Sequence, residues 1–196
     1  MIQGKGYFAI PIWEYNLSRD VTKEEFQEIN NFCLNLKKNN PGRVRSNSGG
    51  WQSFDFTESG IVRTPLYNVF KHIPPILQSC MADLGSTTYI SVKNAWVNIN
   101  GKEHYNHPHN HPRSTLSGVC YITDNNSTIS FERPADIFSH LLEDIDSKGN
   151  TMVSHSVINF TPTKGMLLIF PSSLKHSVRP NESDGERISI AFNASF

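Results

Sequence analysis

A chain of 196 residues is long enough for one domain with a sizeable core, and its 18 basic and 18 acidic side chains cancel to a pI near 7.1. Its cations are scattered, which speaks against a dedicated nucleic-acid or acidic-lipid surface, and no apolar run is long enough to span a membrane. Met1 to Lys5 lack the apolar core of a signal peptide, so a cytoplasmic location is expected.

In chain order, Tyr7 to Leu17 is expected as a strand on the alternation of Phe8, Ile10 and Ile12. Thr22 then opens a helix with Glu25 at the capping-box position, and Phe26, Ile29, Phe32, Cys33 and Leu36 form its apolar stripe up to Asn39-Asn40-Pro41-Gly42. The polar run Arg45 to Ser53 around Gly49-Gly50 predicts an ordered loop that delivers Trp51, either as a buried anchor or as a wall of a pocket. Thr64-Pro65 predicts a second helix start, interrupted at Pro74-Pro75 and resumed by Ile76, Leu77, Cys80, Met81 and Leu84. From Thr87 onward the pattern is strands: Thr87 to Asn100, Thr115 to Thr123, Thr128 to Glu132, Ser156 to Phe160, Met166 to Pro171 and Ile188 to Phe196. Turns are expected at Asp124 to Ser127, Thr161 to Gly165 and Pro180 to Gly185, and a short helix at Asp136 to Ile145. Many short strands after helices imply an antiparallel sandwich or barrel. Cys33, Cys80 and Cys120 form no CxxC pair and are expected as buried, reduced thiols.

Four of the eight histidines lie between His104 and His111. His109 and His111 have strand spacing, so both can face one side and hold one metal ion. His176, distant in sequence, would supply a third imidazole and leave further positions open, as suits a catalytic rather than a structural metal. A surface His-Pro tract that merely scavenges metal is the plainer alternative. Arg187 falls on the last strand with Ser189, Ala191 and Asn193 on the same face, while Ile188, Ile190 and Phe192 face the other way. A buried arginine is expensive without an anion, so Arg187 calls for the carboxylate of a small acid or a structural partner such as Glu132 or Glu186. Tyr121, in parity with Ser117 and Val119, and the same-face pair Asn98 and Asn100 are further candidates to hold that acid.

These residues resemble a family. His109-x-His111, His176 and Arg187 are similar to the signature of the Fe(II)- and 2-oxoglutarate-dependent oxygenases, in which HxD or HxE is followed by a distant His and then by Arg or Lys. Ser46-Asn47-Ser48-Gly49-Gly50-Trp51-Gln52-Ser53, His109-Asn110-His111-Pro112 and Ser117-Gly118-Val119-Cys120-Tyr121 resemble a bacterial and cyanophage branch of it. The chain departs from the family in one place, since His111 stands where the usual triad has a carboxylate.

The resemblance implies a mainly β fold, a double-stranded β-helix (jelly-roll, cupin-like barrel) with flanking N-terminal helices. It would be a single oxygenase domain over 1–196, with helical support in 1–86 and the β-helix core in 87–196. It implies Fe(II) on His109, His111 and His176, and 2-oxoglutarate as co-substrate on Arg187 with Tyr121, Asn98, Asn100, Ser189 and Asn193. The implied reaction is hydroxylation by O2 of a small-molecule or peptide substrate, a prolyl or other side chain among them, with release of succinate and CO2. No nucleic-acid or membrane partner is expected. Two alternatives stay open: a three-histidine dioxygenase acting on a thiol or diketone without 2-oxoglutarate, and a non-catalytic barrel that binds a metal or a small acid.

Overall fold

The computed structural model describes residues 10–124, 127–134 and 157–196. A short strand β1 (Trp13–Asn16) comes first, shorter than the expected Tyr7 to Leu17, because Asn16 caps a turn of 3-10 helix that begins at Leu17; residues 1–9 lie outside the described residues. Helix α1 (Lys23–Asn39) starts where expected: Thr22 Oγ1 accepts from the Glu25 amide while the Glu25 carboxylate accepts from the Thr22 amide. Its stripe buries Phe26, Ile29 and Cys33.

The next helical stretch differs from expectation. Helix α2 (Glu58–Val62) is capped by Thr57, and Thr64 donates back to the Ile61 carbonyl at 2.9 Å instead of capping anything. Helix α3 (Tyr67–Phe70) and helix α4 (Ile73–Asp83) follow. Pro74 and Pro75 sit in the first turn of α4, where a missing N–H costs no hydrogen bond, so the pair separates two helices and begins the second.

The remaining elements are strands: β2 (Asn47–Ser48), β3 (Trp51–Gln52), β4 (Ser91–Asn100), β5 (Tyr105–His109), β6 (Leu116–Tyr121), β7 (Ile129–Glu132), β8 (Val157–Phe160), β9 (Met166–Pro171), β10 (His176–Val178) and β11 (Arg187–Ser195). The helix expected at Asp136 to Ile145, and part of the turn expected at Asp124 to Ser127, lie outside the described residues. One antiparallel sheet has six strands in the order β1-β9-β6-β11-β4-β3, and the other has five in the order β2-β5-β10-β7-β8. From β4 on, the chain passes back and forth between the sheets, and the pairings β9-β6-β11-β4 and β5-β10-β7-β8 are those of the jelly roll.

Strand alternation divides the interior in two. Ala95, Val97, Ile99, Leu116, Cys120, Leu167, Ile169, Ile188, Ile190, Phe192 and Ala194 turn from the six-stranded sheet toward the helices and form the larger core with them. Val119, Tyr121, Ile129, Phe131, Leu168, Phe170 and Leu174 form a smaller core between the two sheets. All three cysteines are buried and free. No helix among the described residues is long and apolar enough to cross a membrane.

The larger core is packed tightly at one glycine. Gly118 lies in the middle of β6, opposite Phe192 of β11, and a Cβ added there would run into the Phe192 ring, which itself packs edge-on against Phe70. Gly118→Ala should therefore lower stability by about 1–3 kcal/mol in urea unfolding. Adding Phe192→Leu should make the double variant more stable than the sum of the single effects requires, because the same clash is being relieved. Strict additivity would rule out a contact between the two sites.

Candidate functional site

Between the sheets, beyond the smaller core, lies a cavity of about 770 Å³. Its floor is the polar face of the six-stranded sheet: Asn94, Trp96 and Asn98 of β4, Ser117 and Tyr121 of β6, and Arg187, Ser189 and Asn193 of β11. His109, His111 and His176 form part of its wall, and their ligand nitrogens all lie within 4.8 Å of one another.

Each imidazole is brought in differently. His109 ends β5 and His176 begins β10, and the two are register partners across the five-stranded sheet. His111 stands past the end of β5 rather than on a strand, which corrects the strand-spacing expectation. Its backbone amide donates to the Ser172 carbonyl at 2.8 Å, and its ring stacks on Trp96 at 5.4 Å between centroids and 18° between planes. His109 Nδ1 lies 2.7 Å from the His107 carbonyl and His176 Nδ1 lies 2.9 Å from the Leu174 carbonyl. A carbonyl can only accept, so each Nδ1 carries the proton and each Nε2 is left as a bare lone pair. His111 Nε2 and His176 Nε2 face each other at 3.3 Å. Nitrogens at right angles on one ion, about 2.1 Å from it, stand about 3 Å apart.

Burial, more than any other cause, lowers all three proton affinities, to about 4 for His111 and about 3 for His176. The rings are thus neutral at physiological pH and present lone pairs, which is the form a metal takes. His107, by contrast, is exposed in β5, rests edge-on against Tyr105, and is not in the cluster.

Arg187 is 2 % exposed, and its Nε and Nη1 are buried with no hydrogen-bond partner. Both structural partners considered from the sequence are engaged elsewhere, Glu132 with Lys175 at 2.8 Å and Glu186 with Lys37. Desolvation lowers the affinity of Arg187 for its proton, but a guanidinium holds that proton across the physiological range. Tyr121 is fully buried near it, and the same desolvation pushes the phenol well above its ordinary value, so the hydroxyl remains a donor. Three neutral imidazoles and an uncompensated buried cation in one cavity fit a divalent metal carrying an acid ligand.

The other sequence candidates fall into two groups. Asn98, Ser189 and Asn193 line the cavity, where Asn193 joins Ser117 and Asn94 through contacts of 2.8 and 3.2 Å. Asn100 shares their strand face but does not line the cavity; its amide donates to Asn106 at 3.0 Å. The loop at Arg45 to Ser53 divides likewise. Trp51 packs on the larger core and donates to the Asn40 carbonyl at 2.9 Å, while Arg43, Arg45, Ser46 and Gln52 line the cavity. Arg43 pairs with Asp55. No role for Ser46 or Asn106 is legible in the sequence, because both are short polar residues whose placement depends on β2 pairing with β5.

The 2OG-Fe(II) oxygenase family model matches residues 94–193, just over half of the chain. The chain belongs to that family. It is a 2-oxoglutarate/Fe(II)-dependent dioxygenase, with iron and 2-oxoglutarate as its cofactor and co-substrate. No curated protein matches the sequence. Among solved structures, this oxygenase is similar to the non-heme alpha-ketoglutarate-dependent epimerase SnoN of nogalamycin biosynthesis (TM-score 0.66, 15% identity, 94% of this chain and 76% of that one). It is also similar to a Pseudomonas putida prolyl-4-hydroxylase (TM-score 0.62, 12% identity, 94% and 92% covered). A third is the viral collagen prolyl hydroxylase of Paramecium bursaria Chlorella virus-1, solved with 2-oxoglutarate (TM-score 0.60, 13% identity, 93% and 94% covered). At these identities the likeness establishes the jelly-roll fold.

The buried imidazoles make metal-free oxygenase acid-sensitive. The unfolded chain protonates its histidines below about 6.5, whereas the folded cluster resists protonation until about 4 and 3. As pH falls the unfolded state binds more protons, so stability is present above pH 6.5 and lost below it. Between pH 7 and 5, EDTA-treated protein should lose on the order of 2–4 kcal/mol in urea unfolding. His176→Gln should remove about half of that dependence, and a profile identical to the parent's would contradict the origin assigned to it.

Proposed function

We propose that this dioxygenase hydroxylates a carbon of a small-molecule or peptide substrate and splits 2-oxoglutarate to succinate and CO2. In this assignment His109, His111 and His176 hold Fe(II) through Nε2. Arg187 pairs with the carboxylate of 2-oxoglutarate far from the metal, and the Tyr121 hydroxyl, Asn98, Ser189 and Asn193 complete its surroundings. The observation that carries the proposal is the Arg187 guanidinium, buried with two unpartnered nitrogens in the cavity that holds the three imidazoles. A barrel that only binds a small acid, or a dioxygenase acting on a thiol acid, would also have a use for that cation; the match to the 2OG-Fe(II) oxygenase family favours 2-oxoglutarate as its partner.

Iron and 2-oxoglutarate together supply dioxygen activation and the oxidising power for a C–H bond. The protein's own residues do the rest. The His107 and Leu174 carbonyls fix two imidazole tautomers, and Trp96 fixes the plane of the third ring. Arg187 sets the direction in which a dicarboxylate can lie, because its fork is rigid and has no competing partner. Val119, Ile129 and Phe170 exclude water from the inner end of the cavity, so the charges there act in a lowered dielectric. The Pseudomonas and viral neighbours are prolyl hydroxylases, which supports a prolyl side chain as one substrate to try. A cavity of about 770 Å³ has room for a substrate beside 2-oxoglutarate.

Anaerobic Fe(II)-loaded protein should develop a weak visible charge-transfer band on adding 2-oxoglutarate, abolished by EDTA, and in air succinate should form in step with 2-oxoglutarate consumed. Arg187→Met deletes one half of a charge-assisted pair worth about 2–4 kcal/mol. Its 2-oxoglutarate affinity should fall roughly thirty- to a thousandfold at unchanged iron affinity. A variant that mainly unfolds would instead make Arg187 a structural residue.

His111→Ala should weaken iron binding by well over about tenfold, since one coordinate bond is lost, while His107→Ala should leave it nearly intact. The reverse pattern would move the metal to the His107–His109 pair.

A further inference from the structure

We propose that Ser46 donates a hydrogen bond to the metal-chelating end of 2-oxoglutarate, using a hydroxyl proton that the metal-free protein directs at His109; this rests on the ligand assignment above. Ser46 lies outside the residues matched by the family model, on the segment that leads into β2. It is held firmly. Its carbonyl accepts from the His107 amide at 2.8 Å, and Asn47 beside it accepts from the Arg45 amide at 2.7 Å and donates to the Gly50 carbonyl at 2.6 Å.

A one-way chain of hydrogen bonds runs to it from beneath the cavity. The Asn100 amide group donates to Asn106 Oδ1 at 3.0 Å, and Asn106 Nδ2 donates to Ser46 Oγ at 3.2 Å. Ser46 Oγ then reaches His109 Nε2 at 3.4 Å. The direction is set at its origin. Asn100 Oδ1 is buried against the Gly50 backbone, so closely that a Cβ on Gly50 would strike it. A carbonyl oxygen can rest against Cα–H, whereas an NH2 group turned there would be a buried donor with no acceptor. With the Asn106 amide on its oxygen, the Ser46 hydroxyl has one proton to place. His109 Nε2 is a bare lone pair, because Nδ1 already donates to the His107 carbonyl.

That lone pair is the one iron takes in the ligand assignment. Metal binding thus removes the acceptor of the Ser46 proton while Asn106 continues to hold its oxygen. The hydroxyl would then be free to turn about its Cβ–Oγ bond toward another acceptor, which the anionic chelating end of 2-oxoglutarate would supply once bound. A contact of 3.4 Å is long for O–H···N, so it holds the hydroxyl proton only weakly. The proton is donated throughout and transferred to nothing.

The test uses Ser46→Ala and Ser46→Thr in the full chain, with iron affinity and 2-oxoglutarate affinity measured separately under anaerobic conditions, the second from the visible band. Ser46→Ala should bind iron as tightly as the parent or slightly more tightly, since a competitor for His109 has gone. It should bind 2-oxoglutarate about five- to thirtyfold more weakly, with the band displaced in wavelength, and Ser46→Thr should restore both. Unchanged 2-oxoglutarate affinity and band in Ser46→Ala would overturn the proposal. So would a loss of iron affinity as large as that of His109→Ala, which would make Ser46 a part of the metal site itself. A parent protein with no band at all would instead fail the ligand assignment beneath, and this inference with it.

Discussion

The structure depends on the two-residue period of β11. The strand is paired on both edges, to β4 over Arg187 to Ser195 and to β6 over Ser189 to Ala194, so its side chains have only two directions in which to go. Ile188, Ile190, Phe192 and Ala194 go toward the helices, and Arg187, Ser189, Ala191 and Asn193 go into the cavity. One ladder thus anchors the larger core and lays the cavity floor. A slip of one residue would bury the polar set under the helices and put isoleucines on the cavity floor, so the core's demand for apolar side chains also fixes the position of Arg187.

That coupling explains why so much could be read from the sequence. Alternation along Ile188 to Ala194 assigns both faces without any knowledge of the partner strands, and the same holds for Ser117, Val119 and Tyr121 on β6 and for Asn94, Trp96 and Asn98 on β4. The capping box at Thr22 and Glu25 is likewise local, two side chains answering two amides three residues apart. Thr64 misled for the same reason: Thr-Pro is a good start signal, yet nothing in it reveals that Thr57 already caps the preceding turn and that the Thr64 hydroxyl is drawn back to Ile61.

What escaped was non-local. Asn98 and Asn100 are equivalent by parity, but only the first lines the cavity. Asn100 lies where β4 nears Asn106 and Gly50, and its amide goes to the neighbouring strand instead. Strand spacing groups His109 with His111 for an incomplete reason, since β5 ends at His109 and the direction of His111 is set by the hydrogen bond from its amide to Ser172 and the stacking of Trp96. The run from Arg45 to Ser53 is expected from the sequence as one ordered loop. It is two short pairings, β2 onto the five-stranded sheet and β3 onto the six-stranded one, so it ties the two sheets together beside the cavity.

The three imidazoles show how a candidate metal site is held when none of its side chains is a charged group. An aspartate or glutamate ligand would be drawn to the ion by its own charge and could tolerate some misplacement. Neutral imidazoles have only the direction of a lone pair, so their placement must come from the backbone. It does so here by three separate constraints. His109 and His176 face each other in register across β5 and β10, and each ring is turned by a carbonyl two residues earlier in its own chain segment. His111 is fixed from the opposite sheet, by the hydrogen bond its amide donates to the Ser172 carbonyl just after β9 and by the Trp96 indole of β4. The cluster therefore forms only when the two sheets are closed on each other. Jelly-roll closure accordingly supplies the positional accuracy that a carboxylate's charge would otherwise have relaxed.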